Sequence, residues 1–106
     1  MFRRKNEILD ITITIGEFDP SADGAYRNVK TFPLNVRQGK LFISVNSDAP
    51  VDIALSDESG TCVKFRDSIL CDTIGPLEIA KKGTMTLVIG VFRGDRAETG
   101  IRVWMG

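Results

Sequence analysis

The chain has 106 residues, 42% hydrophobic and 26% charged, and its fourteen basic and fourteen acidic side chains cancel. That length is one domain, residues 1–106, with a single core, and zero net charge excludes a bulk field drawing the protein to nucleic acid or an anionic membrane. There is no histidine, and Cys62 and Cys71 do not form a Cys-x-x-Cys pair, so the cysteines cannot build a zinc site by themselves.

The start, MFRRKNEILD, is basic and then acidic at Glu7 and Asp10, with no continuous apolar region. It does not read as a secretory signal. Residues 1–7 are expected to be a flexible basic N-terminus and the protein cytoplasmic, extracellular only if the domain is excised from a longer chain. Apolar runs such as Leu87-Val88-Ile89 are far too short to span a membrane.

The first expected strand is residues 8–15. Leu9, Ile11, Ile13 and Ile15 alternate there with Asp10, Thr12 and Thr14, and β-branched residues suit a pleated surface. Residues 17–24, EFDPSADG, carry turn chemistry at Pro20 and Asp23-Gly24. A second strand falls within 26–36, where Phe32, Leu34 and Val36 alternate and Pro33 suggests an edge. Residues 39–57, GKLFISVNSDAPVDIALSD, read as two strands of a hairpin. Leu41, Ile43 and Val45 lie on one side of a polar break at 47–50, and Val51, Ile53 and Leu55 on the other.

Residues 57–60, DESG, are a four-residue hairpin loop. A strand over 61–66 sets Val63 and Phe65 on one face and Lys64 and Arg66 on the other. Asp67-Ser68 ends it, and short segments follow at 69–72 and around Leu77 and Ile79. Residues 84–92 form the most apolar strand, with Met85, Leu87, Ile89 and Val91 on one face and Val88 and Phe92 on the other. Residues 97–105 close the chain, with Ile101, Val103 and Met105 opposite Arg102 and Trp104. No window sustains helical spacing. The expectation is an all-β, jelly-roll-like antiparallel β-sandwich of about eight to nine short strands.

Four features bear on function. Asp19, Ser21 and Asp23, followed by Gly24, put oxygen ligands at the alternate positions of a calcium loop. The position that should carry a bidentate carboxylate is Lys30, so the simpler reading is a polar loop. Arg93-Gly94-Asp95 is a tripeptide read by adhesion receptors, but Gly and Asp are also ordinary turn residues. Cys62 and Cys71, nine residues apart, make either one disulfide or two buried thiols, the latter in a reducing cytosol. Phe42, Phe92 and Trp104 stand on the polar faces of their strands, where neighbouring aromatics would form an interaction surface. The acids Asp48, Asp52, Asp57 and Glu58 read as solvent-facing positions rather than a catalytic pair.

The strand GKLFISVNSD, the following VDIALSDESG, and the late GTMTLVIGV with AETGIRV resemble, in that order, small β-sandwich accessory domains. These are the bacterial pre-peptidase C-terminal domains and the GOLD domain of membrane-trafficking proteins. The resemblance spans residues 31–103 and implies a non-catalytic module for binding or assembly. Met85 departs from it, standing where the secreted domains usually place an aromatic.

The resulting expectation is a non-enzymatic binding or assembly module, with a protein partner or a second copy of itself bound through Phe42, Phe92 and Trp104. A calcium- or carbohydrate-binding module using residues 19–24 is the first alternative, and calcium the one cofactor considered. A small thiol enzyme using Cys62 or Cys71 is the second. Neither nucleic acid nor a membrane span enters any of these readings.

Overall fold

A computed structural model describes residues 7–16, 29–91 and 96–106. It is all-β and antiparallel. The strands are β1 (Glu7–Ile15), β2 (Val29–Val36), β3 (Gly39–Ser56), β4 (Cys62–Ile79), β5 (Gly83–Gly90) and β6 (Ala97–Met105). They form one sheet in the order β1-β6-β3-β5-β2, with β4 on the other side of β3. The sheet curls nearly into a barrel, bringing β1 and β2 into contact.

Among the described residues six strands stand where about eight to nine were expected for the chain. The difference lies in β3 and β4, each 18 residues long. Residues 39–57 are not a hairpin. They are one strand that changes partner midway. Leu41 to Ser47 pair with β6, and Asp52 to Ser56 pair with β5. The turn-forming residues 48–50 sit in the gap between those two ladders, where Pro50 leaves no ladder bond broken.

Side chains satisfy the backbone groups freed at this bend, as buried or half-buried peptide groups require. Asp48 Oδ1 accepts the Glu98 N–H at 2.9 Å. The Ser47 hydroxyl donates to the Ala49 carbonyl at 2.6 Å and meets the Thr99 hydroxyl at 2.9 Å. Thr99 is fully buried, so this contact satisfies a polar group inside the core. β4 bends alongside, with register shifts against β3 on either side of Val51↔Ile69. Ser68 there has φ +51°, and its N–H donates to Asp52 Oδ1 at 2.9 Å. The Asp67-Ser68 break expected to end a strand is therefore a bulge inside one.

The core is the odd face of β3, with Leu41, Ile43, Val45, Val51, Ile53 and Leu55 all buried. It meets Leu87 and Ile89 of β5, Ile101 and Val103 of β6, and Leu34 of β2. β4 pairs only with β3 and is an edge strand. Ile69 and Ile74 are its buried apolar residues. Lys64 and Arg66 stand across from Leu55 and Ile53, on the core side, while Phe65 stands across from Ala54 and points out. Inward charges and bulges are common protections of an exposed edge. Among the described residues there is no helix long and apolar enough to cross a membrane.

Candidate functional site

The loop between β3 and β4 is organised by one carboxylate. Asp57 Oδ1 accepts the Ser59 hydroxyl at 2.6 Å, the Ser59 N–H at 3.0 Å and the Thr61 N–H at 3.0 Å. The Ser59 hydroxyl, and after it the Thr61 amide, hold this carboxyl below the usual carboxylate range, because both favour its charged form. The Asp57 and Gly60 amides close the loop on the Thr61 and Asp57 carbonyls. Next to it, Glu58 Oε1 accepts the Thr84 N–H at 2.7 Å, which fastens the loop to the start of β5.

Behind this loop lies a cleft of about 610 Å³. Its floor is apolar: Val36 of β2, Leu55 of β3, Val63, Leu77 and Ile79 of β4, and Met85 of β5. Val63 comes from one end of β4 and Leu77 and Ile79 from the other, so the folded β3–β4 ribbon brings both ends of a single strand to one cleft. Asp57, Glu58, Ser59, Glu78, Lys81 and Lys82 supply its polar and charged mouth. A concave, mostly apolar space of this size with few polar groups at its mouth is the usual form of a small-molecule site.

The residues singled out by sequence lie elsewhere. Phe42 and Trp104 face each other across β3 and β6 and stack, with centroids 5.5 Å apart and planes 10° from parallel. Each is half-buried. The Phe42 ring is also enclosed by two glycines, because a side-chain carbon on Gly75 or Gly106 would come within 3.0 Å of it. Gly75 has φ +133°, and a carbon there would also fall 2.7 Å from the Leu41 carbonyl oxygen, so no other residue fits without a backbone shift. Phe92 lies outside the described residues, as do Asp19, Ser21, Asp23 and Arg93-Gly94-Asp95.

Cys62 and Cys71 require a correction: both are exposed and free. They stand on the same edge strand, across from Ser56 and Asn46, and β4 holds them apart along its length. The Cys62 thiol donates to the Lys64 carbonyl at 3.4 Å. Asp48, Asp52, Asp57 and Glu58 each accept a different backbone N–H, so the four carboxylates do not converge. Among the described residues, no three His, Cys, Asp or Glu side chains are grouped to hold a metal.

No protein-family model matches the chain, and no curated protein matches it by sequence. The fold has a counterpart. The crystal structure of a mitogen derived from Yersinia pseudotuberculosis superposes with a TM-score of 0.67, covering 95% of this chain and 87% of that one. Identity is 13%, so the likeness carries the fold alone. The resemblance to small β-sandwich accessory domains stands at the same level, that of an all-β antiparallel fold.

Two features escaped sequence reasoning. The cleft draws on β2, β3, β4 and β5, which no local pattern connects. The second is the outward row Phe65–Ala54–Val88 across β4, β3 and β5, with Phe65 58% exposed. Phe65 alternating with Lys64 and Arg66 was its only signal, and alternation does not say which face is wet.

Proposed function

We propose that this domain, which we read as a jelly-roll-like sandwich, is a non-catalytic binding module and that its binding site is the cleft between the two ends of β4. The observation that carries this is the apolar floor open to solvent at a mouth whose loop is already fastened by Asp57 and Glu58. A pre-ordered mouth lowers the ordering cost of binding. The cleft has an apolar surface and charged groups at its rim, the make-up of a binding site. A neutral apolar probe tests the site itself. Titrating 1-decanol below its solubility limit should shift the methyl resonances of Val36, Leu55, Val63 and Met85 and leave those of Val45 and Ile101 in place. Unmoved cleft methyls would sink the reading.

A second reading is favoured by Phe65, which stands exposed beside Ala54 and Val88 on one sheet face. An outward aromatic in an apolar row is a common anchor between protein surfaces, and the protein would self-associate through it. Sedimentation velocity should then show a dimer that Phe65→Ser converts to monomer. A parent that is monomeric at every concentration removes this reading.

A further inference from the structure

We infer that the cleft takes an amphiphile with a medium-length alkyl chain and a single anionic head group, a carboxylate or a phosphate monoester, held at the mouth by Lys81 and Lys82. This rests on the reading of the cleft as a binding site. The floor has no charged residue, so it suits a chain rather than a polar body. The mouth carries three acids and two lysines, and their commitments differ. Asp57 is used by its own loop. Glu58 is turned to the Thr84 N–H. Glu78 stands across from Lys40 in the ladder and also lines the mouth, where the two lysines outnumber it. Among the described residues, Lys81 and Lys82 have no ion-pair partner. They sit in the turn that follows Ile79 and Ala80, at the end of the β4 part of the apolar floor. An apolar slot ending at two uncommitted ammonium groups is complementary to a chain ending in an anion. Lysine meets either head group as a point charge.

Calorimetry and methyl shifts with decanoate and decyl phosphate, below their micelle concentrations, and with 1-decanol, below its solubility limit, test this. Both anions should bind about tenfold more tightly than the alcohol, and that advantage should shrink as salt rises. Each methylene added from hexanoate to decanoate should tighten binding by about fourfold. The double variant Lys81→Gln, Lys82→Gln should lose about tenfold for the anions and nothing for decanol, with an otherwise unchanged methyl spectrum. Equal binding of alcohol and anions overturns the inference and leaves the cleft reading intact. So does a double variant that binds decanoate as the parent does. Failure of all three ligands to move the cleft methyls ends both.

Discussion

Along Leu41 to Ser47, β3 is flanked by β6, and the outer face of that half is closed on itself. Trp104 lies on Phe42, and Arg102 reaches Glu7 at 3.3 Å and Asp10 at 4.0 Å across the adjoining strands. Along Asp52 to Ser56, β3 is flanked by β5, and the outer face runs Phe65–Ala54–Val88, with Phe65 exposed. No ion pair between described residues crosses this second face. The inner faces of the two halves are alike, each a file of three buried aliphatics, with Ser47 and Ala49 between them. The core therefore says nothing about where a partner would sit. What separates the halves is how each treats its other surfaces: one covers its aromatics with its own chain, and the other leaves Phe65 wet and opens a cleft below Leu55.

The largest effects should come from the shared inner face. Leu41→Ala and Leu55→Ala each remove a fully buried side chain, and such changes cost about 2–5 kcal/mol. Leu41 is enclosed, whereas Leu55 forms part of the cleft floor. Truncating Leu55 enlarges an open space instead of creating a sealed one, so its loss should fall at the lower end of that range. Urea unfolding of the two variants measures both. If Leu55→Ala proves the more costly, the cleft is closed in solution and the contrast between the halves weakens.

The continuity of that inner face was legible in the sequence. Val45 and Val51 are an even number of residues apart, so the alternation keeps phase straight through residues 47–50. A tight turn into a second strand does not require that phase. A single strand does. Ser47, Asp48 and Pro50 carry the chemistry of a turn, and that chemistry serves equally well to satisfy a bend. Asp52 does the same for the bulge at Ser68. The all-β class and the core positions follow from period two alone. Partner exchange along β3 does not, because it depends on which of two ladders reaches each half. The same limit applied to Phe65 and the cysteines: an edge position turns an apolar residue outward, and nothing local marks β4 as an edge.

A smaller effect separates the outer faces directly. Trp104→Ala removes a half-buried ring from a stack and should cost about 2 kcal/mol, from lost burial and ring contact together. Phe65→Ala should leave monomer stability within about 0.5 kcal/mol, as is usual for an exposed position away from any special feature. Thermal and urea midpoints at low protein concentration make the comparison. The reverse order would mean that Phe65, not Phe42 with Trp104, is the aromatic packed by its own chain.

The smallest effect concerns the mouth of the cleft and is read as a pH dependence. Asp57 has its carboxyl held below the ordinary value by the Ser59 hydroxyl and the Thr61 amide. A group whose folded pKa is depressed binds fewer protons in the folded state than in the unfolded one. Its contribution to stability is therefore complete above the unfolded value of about 3.9 and is lost as pH falls through the lower folded value. Asp57→Asn retains a hydrogen-bond acceptor but cannot ionise. The stability difference between parent and variant should accordingly be constant near neutrality and should close as pH drops from about 4 toward 2. The difference between two curves is the quantity to measure, because the other carboxylates titrate alike in both proteins. A difference that stays the same across that window would show that the loop is held by its backbone bonds alone. The cleft mouth would then be no more dependent on charge than the sealed half of the molecule is on its stacked rings.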